Sequence, residues 1–150
     1  MDSDRTFGGA SNFVTKCKNE LKWEDLSNDT VMDVACGCNF DCSRAILHQF
    51  PNVGCLIALD KHPSVIMEKR QFKDEMFENK IMSQIVQYFS ADIERRDSLQ
   101  PYKGSIDKVV SRHGFYQIEN KELAIENIYH LLKPGGDAAL LFWLDNPVGA

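Results

Sequence analysis

Features that the sequence lacks already narrow its class. No apolar run reaches the roughly 20 residues that a membrane-spanning helix needs. The chain opens with an acidic segment, in which Asp2 and Asp4 precede Arg5, and no apolar segment of a secretory leader follows it. No basic run offsets the formal net charge of −5, which argues against a nucleic-acid ligand. We therefore expect a cytoplasmic protein with no membrane and no nucleic-acid partner.

A metal-binding arrangement of cysteines is also missing. The chain has 5 cysteines, an odd number, and Cys36, Cys38 and Cys42 follow one another closely. Their spacing contains no CxxC pair and no matching pair of histidines, so we predict no metal site. Free thiols in a reducing compartment account for this pattern better than disulfides do.

Apolar and amphipathic segments alternate along the 150 residues, a length that suits one domain. Short apolar runs predict buried parallel strands, and the amphipathic segments between them predict helices. Strands are predicted from Thr30 and at 54–60, 85–90, 106–111 and 138–144, and helices at 10–23, 42–49, 63–79 and 120–132. This alternation predicts an α/β fold, a Rossmann-like doubly wound sheet of about five mainly parallel strands with helices on both faces. Residues 1–9 are predicted to be a flexible arm ahead of a domain over 10–150.

The turn between the first strand and its helix carries small residues, Ala35, Cys36 and Gly37. Small residues let the backbone approach a ligand, and the start of a helix offers unpaired N–H groups. In an open α/β sheet a nucleotide-like cofactor binds at such a turn. Asp41 is predicted to cap the helix that follows. Ala35 and Asn39 stand where a tighter motif would have further glycines.

Carboxylates fall at the ends of three consecutive predicted strands, as Asp33, Asp60 and Asp92. If the strands are parallel, these side chains line one crevice at the carboxyl edge of the sheet. Asp60 is placed to accept hydrogen bonds from two ribose hydroxyls, and Asp92 with the Ile93 backbone is placed to meet an adenine edge. A nicotinamide cofactor is the alternative, although Phe40 occupies a position where its fingerprint needs a glycine.

The first three strand ends match the motifs of a known family. Residues 31–37 resemble the first motif of class I S-adenosylmethionine-dependent methyltransferases, residues 56–60 the second and residues 90–93 the third. Later segments are similar to the arthropod juvenile hormone acid methyltransferase group, namely residues 106–111, 126–136, 142–143 and 146–147. The resemblance covers nearly the whole chain from Trp23 onward.

The resemblance implies S-adenosylmethionine as the cofactor and a small or lipid-like carboxylic acid as the methyl acceptor. The cofactor contacts that it implies are Asp33, Ala35, Cys36, Gly37, Asp60, Lys61, Asp92, Ile93 and Ser111. The substrate contacts that it implies are Arg112, His113, Tyr116 and Gln117. A carboxylate is already ionised at neutral pH, so in-line methyl transfer needs alignment and desolvation more than a general base. No catalytic residue is therefore assigned.

Members of this family continue beyond the fifth strand, whereas this chain stops at Ala150. Residues 138–144 would then form an apolar and uncharged sheet edge, which invites pairing with another strand. We expect a truncated relative, a fragment, or a homodimer formed through the edge of the fifth strand. A catalytically impaired remnant that serves as a cofactor-binding or protein-interaction module is the alternative.

Overall fold

The computed structural model describes residues 7–64, 72–112 and 114–141. The strands are β1 Thr30–Val34, β2 Cys55–Asp60, β3 Val86–Ser90, β4 Ile106–Ser111 and β5 Leu132–Leu140. The helices are α1 Ala10–Glu20, α2 Asp41–Gln49, α3 Glu75–Met82 and α4 Lys121–Leu131. Short 3-10 helices span Phe7–Gly9, Arg96–Tyr102 and Gly114–Gln117.

The strands form one sheet in the order β3-β2-β1-β4-β5, and every neighbouring pair is parallel. The chain runs outward from β1 to β3 and then returns to the other side of β1 with β4. The order of strands therefore reverses between β1 and β4, and ligands of open α/β sheets bind at the carboxyl ends beside such a reversal. The predicted Rossmann-like α/β fold is confirmed.

An apolar layer covers each face of the sheet. One cluster joins the sheet to α1, α2 and α3 and includes Val14, Ile46 and Phe77, all fully buried. The other joins the sheet to α4 and includes Ala124 and Leu131. Neighbouring residues of a strand point to opposite faces, so β1 places Val31 in one cluster and Met32 and Val34 in the other.

The helix predicted over 63–79 is wrong in its extent. Residues 72–74 are not helical, and α3 begins only at Glu75 and continues to Met82. Asp74 caps this helix by accepting a hydrogen bond from the Phe77 N–H, with 3.1 Å between Oδ1 and N. A carboxylate that satisfies a free N–H at a helix start stabilises that start, so Asp74 sets the boundary that apolar periodicity alone missed. Residues 65–71 lie outside the described residues.

The prediction that Asp41 caps α2 is also wrong. Asp41 is the first residue of α2, and Phe40 occupies the cap position with a left-handed backbone, φ 53, and no side-chain cap. The Phe40 ring is buried and packs against Tyr88, with 5.0 Å between ring centroids, and against Phe72 and Phe77. Aromatic packing therefore fixes this helix start instead of side-chain capping.

Further boundaries differ from the predictions, among them the end of α1, which lies at Glu20 and not at residue 23. β5 already pairs with β4 at Leu132 and resumes pairing at Asp137 after a register shift, with Gly135 in a left-handed conformation, φ 85. The strand predicted over 138–144 therefore starts earlier, and its residues 142–144 lie outside the described residues. Residues 1–9 are predicted to be a flexible arm, but Phe7–Gly9 form a short helix, and Phe7 is buried in the core.

Candidate functional site

Two adjoining cavities open at the carboxyl edge of the sheet. The β2–β3 cavity, of about 140 Å³, is lined by residues at the ends of β1, β2 and β3, including Asp60, Asp92 and Ile93. The β1–α2 cavity, of about 350 Å³, is lined by the β1–α2 turn and by Asp33, Asp60 and Arg112. The residues that line both cavities are Ala35, Asp60, His62, Gly114 and Gln117. The cavities are therefore contiguous, and Asp60 lies where they meet.

Asp60 joins the ends of β1 and β2. Its Oδ2 accepts a hydrogen bond from the Gly37 N–H at 3.2 Å, and its Oδ1 accepts one from the His62 N–H at 3.0 Å. The residue is only 6% exposed. Each carboxylate oxygen has two acceptor sites, so both oxygens of Asp60 keep capacity for a ligand donor. This arrangement suits a ligand that carries two neighbouring hydroxyls.

Asp33 is a buried acid with a shifted titration. Its side chain accepts a hydrogen bond from the Ser43 hydroxyl, with 2.6 Å between the oxygens, and it is 1% exposed. Burial is the main cause that raises the pKa of Asp33 to about 7, with help from the nearby charges of Asp60 and Asp41 and against the Ser43 hydrogen bond. A cationic ligand beside Asp33 would favour its ionised form.

The segment after β3 leaves one hydrogen-bond donor and one acceptor unused. The Asp92 N–H and C=O both bond to the Ser98 hydroxyl, and Asp92 Oδ1 accepts from the Glu94 N–H at 2.9 Å. The Ile93 C=O accepts from the Asn127 amide at 2.7 Å. Within the described residues, Asp92 Oδ2 and the Ile93 N–H have no hydrogen-bond partner, and both residues line the β2–β3 cavity.

The β1–α2 turn contains two left-handed residues, Ala35 with φ 57 and Gly37 with φ 72. A side chain at Gly37 would meet no atom within 4 Å, so the glycine serves the backbone conformation and leaves open space above it. Gly114 instead lies against Ala35, because a Cβ at Gly114 would come within 2.2 Å of the Ala35 Cβ. The turn therefore accepts Ala35 only because a glycine faces it.

The remaining predicted site residues are placed unevenly. Lys61 is exposed and lines the β2–β3 cavity, Cys36 lines the β1–α2 cavity, and Gln117 lines both. Arg112 lines the β1–α2 cavity and donates a hydrogen bond to the Gly8 C=O. Two others lie apart from the cavities.

Ser111 is fully buried and is absent from the lining of both cavities. Its hydroxyl donates to the Val34 C=O at 2.8 Å, so it links β4 to β1. Tyr116 is 44% exposed and also lines neither cavity. His113 lies outside the described residues.

Several lining residues were missed by the sequence reasoning, among them His62, Glu94, Gly114 and Ile118. His62 had a signal, because it follows the strand-end acid Asp60 by two positions. Gly114 also had one, because a glycine just after β4 faces the same edge as the β1 turn. Glu94 and Ile118 had none, since their positions depend on how the segments after β3 and β4 fold.

The thiols around the β1–α2 cavity differ in environment. Cys38 is exposed, whereas burial raises the pKa of Cys36 and of Cys42 well above the ordinary thiol value. Among residues 7–64, 72–112 and 114–141, no group of His, Cys, Asp and Glu side chains is placed to hold a metal ion. Within the same residues, no helix is long and apolar enough to cross a membrane.

Comparison with known proteins identifies the family. Residues 25–141 match the family model described as a methyltransferase domain. The chain belongs to this methyltransferase domain family. The family and its solved relatives imply S-adenosylmethionine as the cofactor of the domain.

Individual relatives of low sequence identity are also named as methyltransferases. The chain is 26% identical over 142 residues to the juvenile hormone acid O-methyltransferase of Drosophila melanogaster, covering 85% of the chain and 41% of that protein. The chain thus spans about two fifths of the length of this curated relative. A putative S-adenosyl-L-methionine-dependent methyltransferase of Methanococcus maripaludis superposes with a TM-score of 0.67 at 19% identity, over 96% of this chain and 60% of that one. A putative methyltransferase of Bacillus halodurans superposes with a TM-score of 0.66 at 22% identity, over 86% of this chain and 50% of that one. These two likenesses show the fold.

Proposed function

We propose that this domain binds S-adenosylmethionine in the two contiguous cavities and transfers its methyl group to a small or lipid-like carboxylic acid. The observation that carries the proposal is the position of Asp33, Asp60 and Asp92. All three lie at the carboxyl ends of neighbouring parallel strands and line one continuous space. The bound cofactor would supply an electrophilic methyl group on a sulfonium.

The β2–β3 cavity is the proposed adenosine site. Asp92 Oδ2 is an acceptor for the amino group of adenine, and the Ile93 N–H is a donor for the neighbouring ring nitrogen. Asp60, between the two cavities, is the proposed acceptor for the ribose hydroxyls, through charge-assisted hydrogen bonds. The unused donor and acceptor of the 92–93 segment support this assignment, because both residues line the cavity and are available to a ligand there.

The β1–α2 cavity is the proposed site for the methionine end of the cofactor. Among the described residues, its lining carries the carboxyl groups of Asp33, Asp41 and Asp60 and one guanidinium, that of Arg112. An excess of acidic groups favours a ligand end that carries a sulfonium and an ammonium group. Gly37 contributes open space and a backbone that a ligand can approach.

The acceptor class rests on Arg112 and on a distant relative. Arg112 lines the β1–α2 cavity, and a guanidinium binds a carboxylate with two parallel hydrogen bonds. The relative from Drosophila melanogaster is named as an O-methyltransferase of an acid. We propose that Arg112, Gln117, Tyr116 and His113 contribute to the acceptor side, and that Ser111 contributes only through the backbone of β1.

Methyl transfer from labelled S-adenosylmethionine to fatty acids and to matched fatty alcohols tests the proposal. We expect ester formation with the acids, and we expect Arg112→Met to raise the KM for the acid more than that for the cofactor. Transfer to alcohols alone would contradict the acid acceptor. Failure of the folded protein to bind S-adenosylmethionine in a calorimetric titration at millimolar ligand would contradict the proposal as a whole.

A second candidate is a non-catalytic module that binds the cofactor or another protein. Two observations favour it: Ala35 keeps a left-handed backbone in the cofactor turn, and among the described residues β5 is an edge strand with Leu141 41% exposed beside it. Edge strands offer unpaired backbone groups to a partner, including a second copy of the chain. Light scattering measures the mass, and the calorimetric titration measures the cofactor affinity. A dimer without cofactor affinity would favour this module. A cofactor-binding monomer would contradict the β5 dimer.

A further inference from the structure

The buried face of α4 contains one polar side chain among apolar neighbours. Asn127 is 0% exposed, as are Ala124 and Leu131 on the same face. An apolar residue would fill this place at lower cost, because a buried amide must find partners for its donor and acceptor. Packing alone therefore does not explain why an asparagine occupies this position.

Both ends of the Asn127 amide are used on the segment that follows β3. Its Nδ2 donates to the Ile93 C=O at 2.7 Å, and its Oδ1 accepts from the Arg96 guanidinium at 3.0 Å. The amide thus orients the peptide bond after Ile93 and holds the start of the 3-10 helix at Arg96. Asn127 therefore holds the segment to the middle of α4, and Glu94 holds it to the start of that helix by accepting from the Asn120 N–H at 2.9 Å.

Ser98 fixes the same segment from the other side. Its hydroxyl oxygen accepts from the Asp92 N–H at 3.1 Å, and its one proton is shared between the Asp92 C=O at 3.0 Å and the Arg95 C=O at 2.7 Å. The Asp92 C=O and the Ile93 N–H belong to one planar trans peptide, so they point in opposite directions. The Ser98 hydroxyl and the Arg95 N–H, at 2.9 Å, together hold the Asp92 carbonyl, and the Ile93 N–H is therefore directed away from both.

The result of these contacts is an unused donor beside an unused acceptor. The Ile93 N–H and Asp92 Oδ2 have no hydrogen-bond partner in the part of the chain that the structure describes, and both residues line the β2–β3 cavity. A donor next to an acceptor matches the ring nitrogen and amino group of adenine. It mismatches hypoxanthine, which has a carbonyl and a protonated ring nitrogen at those positions.

We propose that Asn127 and Ser98 are positioning residues that set the preference of this site for a 6-aminopurine. They act through Asp92 and Ile93 and do not touch the purine themselves. The proposal rests on the proposed function, in that the β2–β3 cavity receives the adenosine part of the cofactor. It adds the residues that make the cavity selective for adenine among purines.

Dissociation constants for S-adenosylhomocysteine and S-inosylhomocysteine test the proposal in the 150-residue chain. The two ligands differ only at the purine edge that Asp92 and Ile93 would contact. For the wild type we expect S-adenosylhomocysteine to bind about 100-fold tighter, from two hydrogen bonds at about tenfold each. Asn127→Ala and Ser98→Ala should each reduce this ratio to about tenfold or less, chiefly by weakening S-adenosylhomocysteine.

Matched variants separate positioning from general destabilisation. Glu126→Gln changes an exposed neighbour of Asn127 on the same helix and should keep the wild-type ratio. Ser98 is only half-buried, so Ser98→Ala should fold and decides the test if Asn127→Ala does not. Circular dichroism and thermal unfolding establish which variants are folded.

The outcomes distinguish this inference from the proposed function. A folded Asn127→Ala or Ser98→Ala variant that keeps the wild-type ratio would overturn the positioning role while leaving cofactor binding intact. A wild type that binds both ligands equally would overturn the adenine assignment. A wild type that binds neither ligand would overturn the proposed function, and this inference with it.

Discussion

The carboxylate of Asp60 at the end of β2 accepts a hydrogen bond from the backbone N–H of Gly37 in the β1–α2 turn, with 3.2 Å between Oδ2 and N. This contact fixes the height of the turn relative to the neighbouring strand, where the two cavities meet. The Cys36 N–H bonds to the Leu59 C=O at 3.0 Å and extends the pairing of the two strands into the same turn. These two contacts join the β1–α2 turn to the end of β2. The proposed ribose site is therefore held by the sheet edge.

Replacing Asp60 tests this site. Asp60→Ala should weaken S-adenosylhomocysteine binding by about 2–4 kcal/mol, because two charge-assisted hydrogen bonds to the ribose are lost. Asp60→Asn keeps the shape and one acceptor and should have a smaller effect. Calorimetric titration measures both, with thermal unfolding to confirm the fold. Unchanged affinity in a folded Asp60→Ala variant would place the ribose elsewhere.

The buried acid Asp33 should make stability depend on pH. The pKa of Asp33 is raised by burial from 3.8 to about 7, so the folded state holds a proton that the unfolded state has lost. Stability should therefore be highest below pH 4 with respect to this group, fall as the pH rises toward 7, and stay constant above it. The free energy of unfolding should change by at most about 4 kcal/mol, at 1.36 kcal/mol for each pH unit between the two pKa values.

Asp33→Asn is the matched control for that profile. The amide cannot ionise and still accepts a hydrogen bond from the Ser43 hydroxyl, so the decline in stability between pH 5 and 7 should become shallower. Urea unfolding at several pH values measures the difference between the two proteins. Parallel profiles for wild type and variant would show that another group carries the pH dependence.

The same group should make the choice between cofactor and product depend on pH. S-adenosylmethionine carries a sulfonium charge that S-adenosylhomocysteine lacks, and the ionised form of Asp33 attracts that charge. The ratio of the two affinities should shift toward S-adenosylmethionine as the pH rises through 7, where the pKa of Asp33 lies because of its burial. Competition titrations at pH 6 and pH 8 measure the shift, and Asp33→Asn should abolish it. A ratio independent of pH would remove Asp33 from the methionine end.

Replacing Ala35 with glycine should increase the stability of the fold. Ala35 holds a left-handed backbone, φ 57, which costs a residue with a Cβ about 1–2 kcal/mol. Ala35→Gly removes this cost, in part offset by the greater freedom of glycine in the unfolded chain, and should stabilise the fold by up to about 1 kcal/mol. Gly114→Ala should do the reverse and destabilise by about 1–3 kcal/mol, since its Cβ would overlap with Ala35. Thermal unfolding measures both, and a destabilised Ala35→Gly variant would contradict the strain.

The sheet could be predicted from the sequence because β1, β2 and β4 each contain a short cluster of buried apolar residues, most continuous in β2 from Leu56 to Leu59. The strand-end acids could be predicted for the same reason, since Asp60 ends such a run. Helix boundaries were less accessible. Asp74 starts a helix inside a stretch whose apolar spacing predicts one continuous helix, and only the cap contact to Phe77 shows the break.

The finer details of the site depend on tertiary contacts that a one-dimensional pattern does not contain. Ser111 stands at a strand end, as the resemblance requires, yet its hydroxyl is used by the Val34 carbonyl of the neighbouring strand. Asn127 lies on the buried face of α4, and its role appears only when the segment after β3 is folded against it. Such residues become visible when hydrogen bonds between distant segments are traced.

The most direct test of the central claim is a titration of the labelled chain with S-adenosylhomocysteine, followed by proton–nitrogen correlation NMR. We expect saturable shifts concentrated in the backbone amides of Gly37, His62 and Ile93, at the ends of β1, β2 and β3. An Asp60→Ala variant should need more ligand to reach the same shifts. Absence of shifts at millimolar ligand, or shifts confined to β5 and α1, would contradict a cofactor site at the carboxyl edge of the sheet.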